Sequence, residues 1–127
     1  MSYFSSDAVA SVLDTALDGI ALRQRVVANN IANVDTPGFH ASRVDFETSL
    51  RAAIGDGTFT NPTTAATAEE SVGASVSLTP TPLGPNQNSV DLQTETMTSM
   101  QTQFQYQIVS RAVSDRLALV KTAAGGF

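Results

Sequence analysis

The 127 residues are 42% hydrophobic but only 6% aromatic, with no Trp, so they bound the chain to at most one ordinary domain built mainly from Ala, Val, Leu and Ile. A formal net charge of −5, with no Lys or Arg between Arg51 and Arg111, excludes a nucleic-acid patch, which needs clustered basic side chains. The absence of Cys excludes a disulfide framework and a thiolate metal site.

Asp7, Asp14 and Asp18 break up any apolar run ahead of the first basic residue, Arg23, so no cleavable secretory signal is expected. No run approaches the roughly 20 apolar residues of a membrane span. From about Ser5 to Asn33, Leu13, Leu17, Ile20, Gln24, Val27, Ile31 and Val34 alternate spacings of four and three, a heptad series with one polar member. Ala10, Ala16, Ala21, Ala28 and Ala32 add helix propensity and a slim surface. A long helix is predicted. Its end is written into the sequence: Asn29, Asn30 and Asn33 tolerate helix-terminal conformations, and Pro37 pushes Thr36 out of the α region. Thr36-Pro37-Gly38-Phe39 has the Pro and Gly placement of a type II turn, so Asn33 to Phe39 form a sharp reversal.

The next stretch is predicted as largely irregular. Phe46, Leu50 and Ile54 suggest one short helix near 45–54, and Val72, Val76 and Leu78 a weak extended segment. Residues 55–89 are mainly Thr, Ser, Ala, Pro, Gly and Asn, too poor in bulky apolar groups to offset their ordering entropy, and read as a flexible loop.

From about Val90 to Ala123 a second long helix is predicted, capped by Ser89 or Asp91 and ended by Gly125 and Gly126. Met97, Met100, Phe104 and Ile108 form one apolar stripe; Val109, Val113, Leu117 and Val120 form another, rotated from the first. Such a surface is broader than one straight partner helix covers. Two helices of ~42 and ~46 Å at 1.5 Å per residue, joined through a reversal, favour an antiparallel hairpin. An isolated pair is expected to be marginal and to complete its burial against other chains.

The expected fold class is therefore mainly α: terminal helices over 1–35 and 90–124 packed as one antiparallel coiled-coil core, a turn plus short helix over 36–54, and a flexible loop over 55–89. Catalytic chemistry finds little support. His40 is the sole histidine and follows a turn. Asp14 and Asp18 read as a solvated acidic strip, and Gly55-Asp56-Gly57 lacks the Gly-Lys-Ser/Thr of a phosphate loop. No enzyme activity, cofactor, metal or small-molecule substrate is expected. Gln24 reads either as a register-fixing polar core residue or as the edge of its stripe. Gln101, Gln103, Gln105 and Gln107 read either as interhelical hydrogen-bonding groups or as a solvated face.

Leu22-Arg23-Gln24-Arg25 and Ala28-Asn29-Asn30-Ile31-Ala32-Asn33, followed by Thr36-Pro37-Gly38-Phe39, resemble the N-terminal signature of bacterial flagellar axial proteins of the rod and hook. Val44-Asp45-Phe46-Glu47, Val90-Asp91-Leu92, Gln103-Phe104-Gln105-Tyr106-Gln107 and Leu119-Val120-Lys121-Thr122-Ala123 narrow the likeness to the small subunits of the proximal rod. The Thr-rich stretch Thr94-Glu95-Thr96-Met97-Thr98 departs from that pattern. The resemblance implies a structural subunit exported unfolded through the flagellar type III apparatus. Its terminal helices would assemble helically around the central channel of the basal body, with copies of itself, other rod subunits and the membrane-ring/export-gate base as partners. The alternatives are a neighbouring small protein of the proximal rod, which shares the N-terminal signature, and a helical-hairpin adaptor or export chaperone.

Overall fold

The computed structural model describes residues 6–60 and 73–125. Their elements, in chain order, are helix α1 (Ser6–Ala32), strand β1 (Ser42–Asp45), helix α2 (Glu47–Gly55), strand β2 (Ser75–Leu78) and helix α3 (Leu92–Gly125). The fold is mainly helical, with long first and last helices and one small sheet. α1 meets α3, β1 and α2, so it is the element around which the others gather.

Helix α1 stops where its asparagines begin to bond locally. The Asn33 side-chain amide donates to the Asn29 carbonyl at 2.8 Å, the Thr36 N–H donates to the Asn33 carbonyl at 3.0 Å, and the Thr36 hydroxyl donates to Asn33 Oδ1 at 3.1 Å. These bonds compete with helix continuation. Two residues later the chain reverses. Phe39 N–H donates to the Thr36 carbonyl at 3.3 Å and Gly38 has φ +76°, the geometry of a type II turn, in which a side chain at Gly38 would be strained.

The short helix α2 is preceded by Asp45, whose carboxylate accepts from the Thr48 N–H at 3.1 Å and the Thr48 hydroxyl at 2.8 Å. Those bonds hold Asp45 below its usual carboxylate pKa. At α3, Asp91 rather than Ser89 satisfies the free helix N–H groups: its carboxylate accepts from Gln93 and Thr94 N–H at 3.1 and 3.3 Å. Gly125 is the last residue of α3. Ser5, Pro62, Glu69, Glu70, Val72 and Gly126, which belong to stretches read from the sequence, lie outside the described residues.

The sheet is a feature that the periodicity only hinted at. β1 and β2 pair antiparallel with Val44 opposite Val76 and Ser42 opposite Leu78. β2 lies in the stretch read as loop, and all four of its residues are exposed. Ladder hydrogen bonds, not side-chain burial, hold it, which is why hydropathy gives it little signal. The other edge of β1 is closed by α1. Asn30 donates its amide to the Ser42 carbonyl at 2.7 Å and accepts from the Ser42 N–H at 3.1 Å, as a neighbouring strand would, and Arg23 donates to the Val44 carbonyl at 2.9 Å.

Two apolar clusters form the core. Ala8, Ala53 and Phe59, with Val12, Leu50 and Ile54, tie α2 to the start of α1. Ala16, Ile20, Val44 and Phe46 form the second, joined by Leu22, Val26, Leu50, Ala74 and a single residue of α3, Val109. Phe46 lies so close to Gly19 that a Cβ there would come within 2.3 Å of the ring. Small α1 residues are thus buried because the segment after the turn brings two phenylalanines against them.

Candidate subunit interface

Along α1, Ile20 and Val27 are buried, while Leu13, Leu17, Gln24 and Ile31, like Val34 beyond its end, are half-buried. Ala8, Thr15, Ala16, Gly19 and Asn30 are buried beside them, so the covered face is offset toward the small residues. The larger Leu13 and Leu17 sit at its rim.

On α3 the covered face is polar. Glu95 and Thr102 are buried; Thr98, Gln105, Val109, Val113 and Arg116 are half-buried, at spacings of three and four. Gln105 Oε1 accepts from Arg23 Nη1 at 3.1 Å, and the Glu95 carboxyl faces the Asn30 amide. Burial pushes the Glu95 pKa up; the Asn30 amide opposes the shift and the Asp91 charge adds to it. Thr98 and Thr102 turn their hydroxyls back to the Thr94 and Thr98 carbonyls at 2.9 and 2.6 Å. Their outward groups are therefore methyls, which lets a face that reads polar in sequence pack without orphan donors.

The large apolar residues of α3 stand in solvent, with Met97, Met100, Phe104 and Ile108 on the side opposite the covered face. Met97, Met100, Phe104, Tyr106, Ile108, Leu117, Leu119 and Val120 are between 49% and 71% exposed. Of the two predicted stripes, the first lies wholly in solvent, and the second divides, with Val109 and Val113 half-covered and Leu117 and Val120 exposed. The uncovered stripe of Met97, Met100, Phe104 and Ile108 marks a surface for association.

The turn joins both ends of the fold. Asn88 is buried and its amide donates to the Asn33 and Thr36 carbonyls at 2.8 and 2.7 Å, while its Oδ1 accepts from Val90 N–H at 2.7 Å. Ser89 Oγ accepts from Ala41 N–H at 2.7 Å, and Gly38 N–H donates to the Asn86 carbonyl at 3.0 Å. Pro37 and Gly38 are exposed at the tip and Phe39 is half-buried.

Arg23 is the group that sequence reasoning passed over. Nη1 and Nη2 each donate to Glu47 at 2.6 Å, Gln105 and the Val44 carbonyl take two further bonds, and the guanidinium lies 4.7 Å from the Phe46 ring centroid. It holds the Glu47 carboxyl below its ordinary pKa and links α1, β1, α2 and α3 through one side chain that is 13% exposed. The available signal was its position: it falls on the buried side of α1, four residues before Val27.

The residues weighed for chemistry do not converge. His40, Asp14 and Asp18 are all exposed. Gly55-Asp56-Gly57 ends α2 and turns, with Asp56 accepting from the Thr58 N–H and hydroxyl. Among the described residues no group of acidic, His or Cys side chains is placed to hold a metal ion, and no helix is long and apolar enough to cross a membrane.

Comparison with known proteins agrees with this geometry. The family model described as "Flagella basal body rod protein" matches residues 13–40, the stretch that contains Arg23, Asn30 and the turn. The flagellar basal body rod protein FlgB of Borrelia hermsii is 60% identical over 38 residues, 30% of this chain and 28% of that protein. FlgB of Bacillus subtilis is 42% identical over 50 residues, 39% of this chain and 37% of its own. Those two matches thus span little more than a third of the relatives' length at most. FlgB of Escherichia coli is 34% identical over 122 residues, which cover 87% of this chain and 88% of that protein. The chain belongs to the flagellar basal body rod protein family, alongside these FlgB relatives.

Proposed function

We propose that the chain is a structural subunit of the flagellar proximal rod, assembling helically through its terminal helices around the export channel and transmitting torque. The exposed apolar residues of α3, between Met97 and Val120, carry this reading, because a lone chain leaves them in water. In the reading, residues 1–35 and 90–124 make one antiparallel coiled-coil hairpin, 36–54 a turn and short helix, and 55–89 a connection that includes β2. The contacts of Arg23 with Gln105 and of Asn30 with Glu95 support the antiparallel sense, since one number rises as the other falls. Leu13, Leu17, Ile20, Gln24, Val27 and Ile31 supply the α1 side of the packing. Met97, Met100, Phe104, Ile108, Val109, Val113, Leu117 and Val120 supply the α3 side and the contacts to neighbours.

The partners are other copies of the chain, other rod subunits and the membrane-ring/export-gate base, with no nucleic acid and no small molecule. The chain reaches the basal body, where the rod crosses the periplasm, through the flagellar type III apparatus. Support for this comes from the family and from the lack of Cys, which suits a chain threaded unfolded. Detergent-extracted basal bodies test the reading. The wild-type chain co-purifies with them, and Leu17→Asp or Val113→Asp removes it and abolishes swimming. A chain that stays in the cytosol overturns the rod assignment in favour of the adaptor or chaperone.

A further inference from the structure

All the sulfur among the described residues stands on one stripe. The chain holds no Cys and three Met; Met1 lies outside the described residues, and Met97 and Met100 sit three apart on α3. They are 56% and 57% exposed and share the uncovered stripe with Phe104 and Ile108. Met100 lines an open groove of about 210 Å³ with Gln103, Phe104 and Gln107, so small solutes reach its thioether. Neither Met belongs to an apolar cluster of the core. No Asp, Glu, Lys or Arg lies between Thr96 and Ser110. The fold neither shields these two sulfur atoms nor depends on them.

We propose that Met97 and Met100 form a peroxide-sensitive modification site, at which oxidation to the sulfoxide blocks association through α3; that consequence rests on the rod-subunit reading. A sulfur lone pair attacks one oxygen of hydrogen peroxide, the O–O bond breaks and an S–O bond forms. The proton on the transferred oxygen passes to the departing hydroxide, which leaves as water. Sulfur gives up two electrons and the peroxide takes them. Exposure governs susceptibility, and no thiol in the chain competes for the oxidant. The product replaces a soft apolar side chain by a polar one. In the free chain water satisfies the new acceptor, so the fold is unaffected. Under a neighbour's apolar surface the same oxygen is buried without a donor, which is costly. Spacing of three places both oxygens on one side of the helix, within one contact.

Hydrogen peroxide, applied to the purified full chain and to extracted basal bodies, tests the site by peptide mass spectrometry. In the free chain Met97 and Met100 each gain one oxygen, and the thermal melt by circular dichroism stays where it was. In basal bodies the same two residues react about tenfold more slowly, because neighbours cover them. Slow oxidation of the free chain, a melt that collapses with it, or equal rates in the two samples overturns the proposal. The polar, unbranched pair Met97→Gln with Met100→Gln stands in for the oxidised state. It is expected in extracted basal bodies at about one fifth or less of the amount reached by Met97→Leu with Met100→Leu. Equal amounts of the two variants overturn the block on association and leave the rod assignment standing. Absence of the wild-type chain from basal bodies overturns that assignment, while the free-chain reaction still decides whether the two thioethers are a peroxide site.

Discussion

The two ends of this molecule bury themselves by different means. Around the first half of α1, apolar groups meet apolar groups: Phe46 lies on Gly19, Phe59 beside Ala8, and Val44 against Ile20. Along α3 the covered face is Glu95, Thr98, Thr102 and Gln105, with Val109 its one residue in an apolar cluster, and the large apolar side chains stand in solvent. One region is organised as a small domain, the other as a component awaiting neighbours. Hydrophobic side chains define a core only when the chain itself supplies the partner.

The largest effect that separates the two regions is all-or-none. Phe104→Asp with Ile108→Asp removes apolar surface that the fold does not use, so a dilute chain should melt within about 0.5 kcal/mol of wild type by circular dichroism. The same variant should be lost from extracted basal bodies. A matching loss of monomer stability would erase the difference between the two regions. Next comes Gly19→Ala, where the added methyl overlaps the Phe46 ring; about 3 kcal/mol of destabilisation is expected from overpacking. Displaced Phe46 ring resonances in the NMR spectrum would accompany it.

Arg23→Gln should cost about 1–3 kcal/mol, since it strips Glu47 of a bidentate charged partner and Val44 of a donor. Its pH dependence is diagnostic. Glu47 is held below its usual value near 4.5, so the pair's contribution is complete above that pH and is lost as pH falls through the depressed pKa. Melts from pH 7 to pH 3 should show wild type converging on Arg23→Gln in acid. The smallest effect has the opposite sign. Glu95 is raised above its usual value near 4.5, so its favourable protonated form is complete below that pH and is lost as pH rises through the folded pKa. Glu95→Gln should therefore stabilise the chain at pH 7, by about 0.5–1 kcal/mol, and show no gain near pH 4.

The long helices, the type II turn and the short helix α2 were legible because each rests on local chemistry: periodicity, asparagine at a helix end, Pro-Gly placement. Strand β2 was faint because Ser75–Leu78 is held by backbone bonds and buries no side chain. The covered face of α3 was concealed in another way. Thr98 and Thr102 count as polar in any hydropathy reading, and only their bonds to the preceding turn reveal that they present methyls. The role of Arg23 was not legible because Glu47, Gln105 and Phe46 lie 24, 82 and 23 residues away in sequence. The candidate interface was visible as a set of apolar residues; which of them the chain would leave uncovered was not.

Asn30 carries one last implication. By imitating a hydrogen-bonded neighbour for Ser42, this amide makes the small sheet lopsided, finished on the side of the first helix and, among the described residues, without a strand beyond β2 on the other. Any extended segment that later joins it has a single berth, alongside Ser75–Leu78, and growth in the wrong direction is blocked by a side chain belonging to the protein's own scaffold.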